Sequence, residues 1–114
     1  MAITLHIARD FSRFPAGRHM ADGPYSGQRF REEFLVPALK KGPVELLLDD
    51  VAGLPSSFLE EVIGGLIRSG FPIAELKEKL SFKANSPRMK NYPQQALQYL
   101  KDAETRLNIG IGRI

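Results

Sequence analysis

Several residue types are missing or scarce in this chain, and each absence excludes a class of protein. Cysteine is absent from the 114 residues, which excludes a disulfide framework and a thiolate metal site. No apolar run approaches the roughly 20 residues that span a bilayer. Residues 1–9 lack the apolar segment of a secretory signal. We therefore expect a cytoplasmic protein that makes no membrane contact.

Charge of one sign is also not concentrated anywhere. The net charge is +3 and the isoelectric point about 9.4, but the basic residues form no long basic helix or tail. A nucleic-acid surface would also need stacking aromatics between its cations, and here these are few. We expect neither nucleic acid nor membrane as a partner.

Catalytic and metal-binding groups are scarce as well. The two histidines, His6 and His19, stand in no convincing order with a serine and an aspartate. Asp49 and Asp50 follow a buried strand, a position suited to Mg²⁺, but no further ligand is evident in the sequence. The sequence therefore predicts a protein that is not an enzyme, with no cofactor and no bound metal.

The hydrophobic pattern predicts an α/β fold in a single small domain, residues 1–114. Apolar residues alternate or run together, as in strands, at 3–7, 44–48 and 80–84. Helical spacing appears between these segments and after the last one. The product is about four strands in a mixed or parallel sheet, with helices packed on it. Residues 108–114 are interrupted by glycine and predict a loose tail.

The first third of the chain combines arginines with a long loop, residues 9–25, which Phe11 and Phe14 are expected to anchor to the core. Ser26 is a plausible N-cap for the helix that follows, to about Lys40. Two interpretations fit. The arginines pair with nearby acidic residues, or they bind an anionic ligand such as a nucleotide together with the helix N-terminus. The residues of the second interpretation are Arg18, Ser26, Gly27, Arg29 and Arg31.

A serine turn, residues 54–58, follows the second strand and begins another helix. Ser57 and Glu60 fit a capping box, in which each side chain bonds the backbone amide of the other residue. The apolar residues of this helix fall on one face, and an opposite, outer face is expected to be exposed. That face carries Ser57, Glu61, Gly64 and Arg68. Gly64 costs about 1 kcal/mol relative to alanine, and two explanations fit: a partner surface approaches it closely, or the helix tolerates a weak position.

Motifs spread over most of the chain resemble the uncharacterised STAS-like domain family, relatives of the anti-sigma factor antagonists. The matching segments are Gly17-Arg18, SGQRFR at 26–31, DDVAG at 49–53 and SSFLEE at 56–61. The resemblance implies a bacterial regulatory domain of STAS-like fold that works by protein binding. It further implies a docking surface at the serine turn and the following helix, which the residues Pro55, Phe58, Glu61, Gly64 and Arg68 would form.

The resemblance also implies a switch. In well-studied antagonists the turn reads Asp-Ser-Ser-Gly, and a partner kinase of the GHKL ATPase type phosphorylates the second serine, which abolishes binding. Ser57 matches that serine by position, and Ser56 the one before it. This chain has Pro55 in place of the aspartate and Phe58 in place of the glycine. Ser57 and Ser56 are therefore the candidate phosphorylation sites, and a GHKL-type ATPase or anti-sigma-like kinase is the implied partner.

Overall fold

Three short strands form one parallel sheet in the order β1–β2–β3. In the computed structural model, which describes the backbone of residues 2–112 and the side chains of residues 2–106, the strands are β1 (Ile3–His6), β2 (Val44–Leu47) and β3 (Leu80–Lys83). A mixed or parallel sheet was expected from strands alternating with helices, and the sheet is parallel, with β2 in the centre. The expected number of about four strands is wrong, since it came from the usual size of small sheets and no fourth segment has a strand pattern.

The two faces of the sheet differ. Ile3, Val44 and Leu80 lie side by side in the register on one face. Leu5, Leu46 and Phe82 form the next row of the same apolar face. The other face carries Thr4, Glu45 and Ser81 in one row, and its residues are exposed or half-buried. On this second face β2 is only half-buried, because the face is polar in the neighbouring strands.

Helical elements connect the strands and pack on the sheet. Between β1 and β2 lie a π-helical turn (Ile7–Phe11), a 3₁₀ turn (Met20–Asp22), α1 (Gly27–Phe30), a second π-helical turn (Arg31–Leu35) and α2 (Val36–Lys41). After β2 come α3 (Ser56–Arg68), α4 (Ile73–Lys79), β3, a 3₁₀ turn (Pro87–Met89) and α5 (Tyr92–Gly112).

α1, the second π turn and α2 make one continuous helix, as expected for residues 26–40. The Ser26 hydroxyl caps it by accepting a hydrogen bond from the Arg29 amide at 3.2 Å. The π turn ends one residue before Val36 and two before Pro37. Proline has no amide proton and crowds the preceding turn, so a widened turn ahead of it is the expected response of the backbone.

α3 is the central helix of the core, and it begins earlier than expected. Pro55, not Ser57, occupies the N-cap position, and its carbonyl accepts the Leu59 amide at 3.1 Å. The predicted capping box is therefore wrong. Leu54 and Leu59, at the positions of a hydrophobic staple, are both buried, so the burial of apolar groups decides where this helix begins.

α5 packs on α3, and its Ala96, Leu100 and Ala103 are buried, whereas Leu97 is exposed. Its backbone remains helical to Gly112. The side chain of Leu107 and residues 113 and 114 of the predicted loose tail lie outside what the structure describes. Across the described part of the chain, no helix has both the length and the apolar character needed to cross a membrane.

Candidate functional site

The loops that follow the three strands meet at one edge of the sheet, because the strands are parallel. They are residues 7–16 after β1, 48–55 after β2 and 84–89 after β3. In open α/β sheets this carboxyl edge is the usual place for a binding site. The serine turn leaves the sheet at the same edge. The site therefore combines the serine turn with the loops beside it.

Asp49 joins the second loop to the third. Its carboxylate is buried and accepts the Asn85 amide at 2.8 Å and the Ser86 amide at 2.8 Å. Burial raises the pKa of Asp49, but these two amide bonds lower it, and the balance lies below the usual value. Asp49 is thus an ionised structural anchor. Among the residues described, no group of three or more His, Cys, Asp or Glu side chains is placed to hold a metal ion.

Two arginines clamp the backbone of the second loop. Arg13 donates from Nε to the Asp50 carbonyl at 3.3 Å, and the Ala52 amide donates to the Arg13 carbonyl at 2.7 Å. Arg88 donates to the carbonyl oxygens of Val51 and Ala52. All three loops are therefore tied together by hydrogen bonds, and the edge is a preformed surface.

A shallow depression of about 310 Å³ lies between the first and second loops. Its lining residues are His6, Ala8, Arg9, Arg13 and Asp50. His6 lies with Nε2 3.0 Å from the Asp49 carbonyl oxygen and 3.5 Å from the Asp50 carboxylate. Asp50 has φ +71°, a left-handed conformation that aspartate tolerates better than most residues.

Phe14 projects from the first loop into solvent, with 66% of its surface exposed. Its expected role as a core anchor is wrong. Phe11 takes that role alone, with its ring 5.2 Å from the ring of Phe30 and 5.3 Å from that of Phe34. The Arg13 guanidinium lies over the exposed ring, 6.0 Å from its centroid. We call Arg13, Phe14, Ala52 and Arg88 the edge patch.

The serine turn presents part of what the sequence predicts. Pro55 and Ser56 are exposed and Ser57 is half-buried. Within the described residues neither serine hydroxyl makes a hydrogen bond, so neither is committed to the fold. Ser57 lies inside the first turn of α3, one residue beyond Ser56.

The outer face of α3 is not exposed as expected. Phe58 is fully buried, Glu61 has 5% of its surface exposed, and Gly64 is covered by the side chains of Glu60 and Arg68. The prediction that these three positions face a partner is wrong. Helix α1 covers one side of α3, which the sequence of α3 alone does not reveal. Arg68 remains half-exposed.

Glu60 and Glu61 are instead the centre of an ionic cluster. Arg18 pairs with Glu60, and Arg31 pairs with Glu61 while donating to the Glu61 carbonyl at 3.0 Å. Arg68 bonds Glu60 at 3.1 Å and Glu61 at 2.9 Å. We call Arg18, Arg31, Glu60, Glu61 and Arg68 the ionic cluster. It fastens α3 to Arg18, which precedes α1 in the chain, and to Arg31, which begins the second π-helical turn.

Glycines make room for this cluster. At Gly65 a Cβ atom would collide with the Arg31 guanidinium, so this glycine makes room for a side chain of the neighbouring helix. At Gly27 a Cβ would lie 2.6 Å from the Phe58 carbonyl oxygen, which brings α1 directly onto α3. At Gly64 the crowding atoms are side-chain ends of α3 itself. A partner backbone at Gly64 is therefore not what this glycine serves.

The backbone amides that were expected to bind an anion at the N-terminus of α1 donate to carbonyl oxygens of the protein instead. The Gly27 amide donates to the Gly17 carbonyl at 2.9 Å and the Gln28 amide to the Arg18 carbonyl at 3.0 Å. Ser26 caps the helix. The loop itself thus occupies the N-terminus of α1 where an anion would bind.

The arginines assigned to that anion site are occupied as well. Arg18 and Arg31 belong to the ionic cluster, and Arg29 bonds Glu33 and the Pro24 carbonyl. The competing interpretation, pairing with nearby acids, holds for Arg9 with Asp10, Arg29 with Glu33 and Arg31 with Glu32. Asp22 instead accepts the backbone amides of Arg18 and His19.

No curated protein and no solved structure matches this chain. One family does: the sequence model described as a STAS-like domain of unknown function (DUF4325) matches residues 26–90, more than half of the chain. The match contains α1, β2, the serine turn, α3 and β3. The chain therefore belongs to the STAS-like domain family of unknown function.

Proposed function

We propose that this domain is a non-enzymatic regulatory module that binds a protein partner through the serine turn. The observation that carries the proposal is the state of Ser56 and Ser57. They stand exposed or half-exposed at a preformed edge of the sheet, with hydroxyls that make no hydrogen bond in the described part of the fold. A structural serine at a helix start normally caps it, and here Pro55 has that position.

Phosphorylation of this turn is a suitable switch. A phosphate adds about −1.5 to −2 charge and three acceptor oxygens. The Ser56, Ser57 and Phe58 amides donate to no acceptor among the described hydrogen bonds, and the dipole of α3 favours an anion there. The fold would tolerate the group, while a partner that packs on the turn would lose affinity. Ser57 is the candidate by position in the family motif, and Ser56 by exposure.

The docking surface is smaller than the sequence predicts. Of the five residues assigned to it, Pro55 and Arg68 remain accessible, and three are buried or covered. A GHKL-type ATPase or anti-sigma-like kinase stays the proposed class of partner, on the resemblance of the turn to that of the antagonists.

Affinity capture from the native lysate, with intact-mass analysis of the recovered domain, tests the proposal. The wild type and Ser57→Ala should recover the same stoichiometric partner, and Ser57→Asp should release it. Thr105→Asp adds the same charge at an exposed position of α5 and should keep the partner. A mass gain of one phosphate on the turn would identify the modified serine. Equal recovery by Ser57→Ala and Ser57→Asp would contradict the switch.

A further inference from the structure

We propose that the partner presents an acidic segment with a central apolar side chain, and that the edge patch receives it. This inference rests on the proposed function and names the chemistry of the partner. Its observations are an exposed aromatic ring, two arginines that have no carboxylate within ion-pair distance among the described residues, and a depression beside Arg13.

Phe14 is displayed by a fixed backbone. The Phe14 amide donates to the Ser12 hydroxyl at 2.9 Å, and the preceding residue is bonded to Ala52. Two residues further on, the Ala16 amide donates to the Tyr25 carbonyl at 3.0 Å. An exposed aromatic side chain held in this way loses little conformational freedom on binding, which is the property of an interface anchor.

Arg13 and Arg88 differ from the arginines of the ionic cluster, which pair with glutamates. Each donates to backbone carbonyls, and within the described residues neither lies within ion-pair distance of a carboxylate. A carbonyl accepts a hydrogen bond but brings no net charge, so these bonds neutralise neither the charge of Arg13, which lies over the Phe14 ring, nor that of Arg88, which bonds the second loop at Ala52. Each guanidinium also keeps further N–H donors for a bound carboxylate.

The depression beside Arg13 offers space for a carboxylate side chain. It holds about 310 Å³ and also borders Arg9. Asp50 borders it too, but its carboxylate is directed at His6 Nε2, 3.5 Å away. Pro55 is three steps along the chain from Ala52, so the patch lies at most about 11 Å along the backbone from the serine turn. A segment that fills the patch therefore reaches the turn, where a phosphate would repel it.

The same features disfavour other polyanions. A single-stranded nucleic acid needs several stacking aromatics along a basic groove, and this patch has one exposed ring. Stable attraction to an anionic membrane takes a cluster of about four to eight lysines or arginines. The two arginines and one phenylalanine of the edge patch instead match a short peptide segment in size and charge.

Fluorescence anisotropy with labelled peptides tests the inference directly. The probe carries glutamates on both sides of a central leucine, and its matched versions carry glutamine or lysine instead. We expect the glutamate peptide to bind at least about tenfold more tightly than the glutamine peptide. Its affinity should fall when the salt concentration is raised from about 0.05 M to about 0.3 M, because salt screens the charges. The lysine peptide should not bind.

Variants locate the binding site. Arg13→Gln with Arg88→Gln should weaken the glutamate peptide at least about tenfold, and Phe14→Ser should weaken it about fivefold or more. Lys40→Gln with Lys101→Gln removes the same charge from exposed positions elsewhere and should change nothing. Arg13→Lys with Arg88→Lys keeps the charge and should retain most of the affinity, which separates loss of charge from loss of fold.

Three results would overturn the inference: equal binding of the glutamate and glutamine peptides, equal weakening by the lysine control pair, or tighter binding of an oligothymidylate or a phosphatidylglycerol vesicle. The capture experiment separates it from the proposed function. A partner released by Ser57→Asp but kept by Phe14→Ser and by the double arginine variant would overturn this inference alone. Peptide binding as expected, with capture insensitive to Ser57→Asp, would contradict the switch alone.

Discussion

Two regions of this domain use arginine in opposite ways. In the ionic cluster, Arg18, Arg31 and Arg68 each pair with Glu60 or Glu61 between packed elements. In the edge patch, Arg13 and Arg88 rest on backbone carbonyls at the rim of the sheet. The difference is the net charge that remains available to a partner. A guanidinium paired with a carboxylate is neutralised within the fold, whereas one that donates only to carbonyl oxygens keeps its net positive charge.

The exposed aromatic completes the contrast. The ionic cluster is flanked by the buried aromatic rings of Phe30 and Phe58, whose centroids are 6.1 Å apart. The edge patch has the exposed ring of Phe14. Loss of a residue from the first region should therefore cost stability, and loss from the second should cost binding. The following predictions test this division, beginning with the largest expected effect.

Glu61→Gln should destabilise the domain by about 3 kcal/mol, because it removes the buried carboxylate that pairs with the buried Arg31 guanidinium and leaves Arg31 only the exposed Glu32. The measurement is the free energy of unfolding in urea. Glu33→Gln removes the partner of Arg29 in a pair that is largely exposed, and should cost less than about 0.5 kcal/mol. Similar losses in the two variants would mean that the ionic cluster has no special role in the fold.

Asp49→Asn should cost about 1–2 kcal/mol, because a neutral amide replaces the carboxylate that accepts the Asn85 and Ser86 amides. Asp50→Asn is the matched control. Its side chain is 72% exposed and asparagine suits the left-handed backbone there, so the change should stay within about 0.5 kcal/mol. Urea unfolding of both variants checks the prediction, and an Asp50→Asn loss as large as that of Asp49→Asn would contradict it.

Gly65→Ala should destabilise by about 1–2 kcal/mol, because its methyl group collides with the buried Arg31 side chain. Gly64→Ala, one residue earlier on the same helix, meets mainly the ends of the Glu60 and Arg68 side chains. There the gain of about 1 kcal/mol in helix propensity should offset the shift of those groups, leaving a change within about 0.5 kcal/mol. Thermal unfolding of the pair separates the two cases, and equal stability would show that Arg31 is free to move.

Acid should weaken the ionic cluster. Burial raises the pKa of Glu60, but hydrogen bonds from Arg18 and Arg68 lower it, and the balance lies below the usual 4.5. Because the folded pKa is the lower one, the stabilisation is complete above about pH 4.5 and is lost as the pH falls through the folded pKa. Glu60→Gln should flatten this acid slope in urea unfolding measured from neutral pH downward. Glu78→Gln, an exposed change on α4, should leave the slope as it is, and a slope equally steep in Glu60→Gln would contradict the assignment.

Phe14→Ser should have the smallest effect on the fold, within about 0.5 kcal/mol, because two-thirds of the side chain is already in water. Phe11→Ser, three residues earlier, should cost several times more, since its ring packs against Phe30 and Phe34. Thermal unfolding compares them. A large loss in Phe14→Ser would show that the ring supports the core and would remove it from the edge patch.

Much of the architecture was readable from local patterns. The three strand segments, the Ser26 cap, the helix that ends near Lys41 and the stop before Val44 all follow from alternation, capping chemistry and proline or glycine punctuation. The family was readable too, from the motifs at 26–31, 49–53 and 56–61. These signals are local, so neighbouring residues are sufficient to reveal them.

The site was harder to read, because exposure depends on what packs from elsewhere. The periodicity of α3 gives one apolar face correctly, but it cannot show that α1 covers the opposite face at Glu61, or that the side chains of Glu60 and Arg68 cover Gly64. The partners of Arg18 and Arg31 lie about 30 to 40 residues away, in Glu60 and Glu61. Two hints were present. One is Gly65, a glycine in the interior of a helix, which indicates close approach of another group. The other is the adjacent pair Glu60 and Glu61, which offers partners to the arginines of the first third of the chain.

By itself, then, the sequence determined the α/β class, a mixed or parallel sheet around Val44–Leu47 and the place of the serine turn after that strand. Apolar period and turn chemistry act over a few residues, and that range covers these features. The tertiary structure decided which charges are neutralised and which aromatic ring is exposed. Both depend on distances between segments far apart in the chain, which no local pattern encodes. Phe11 and Phe14 show this most simply, since the same residue type in the same loop is core at one position and surface at the other.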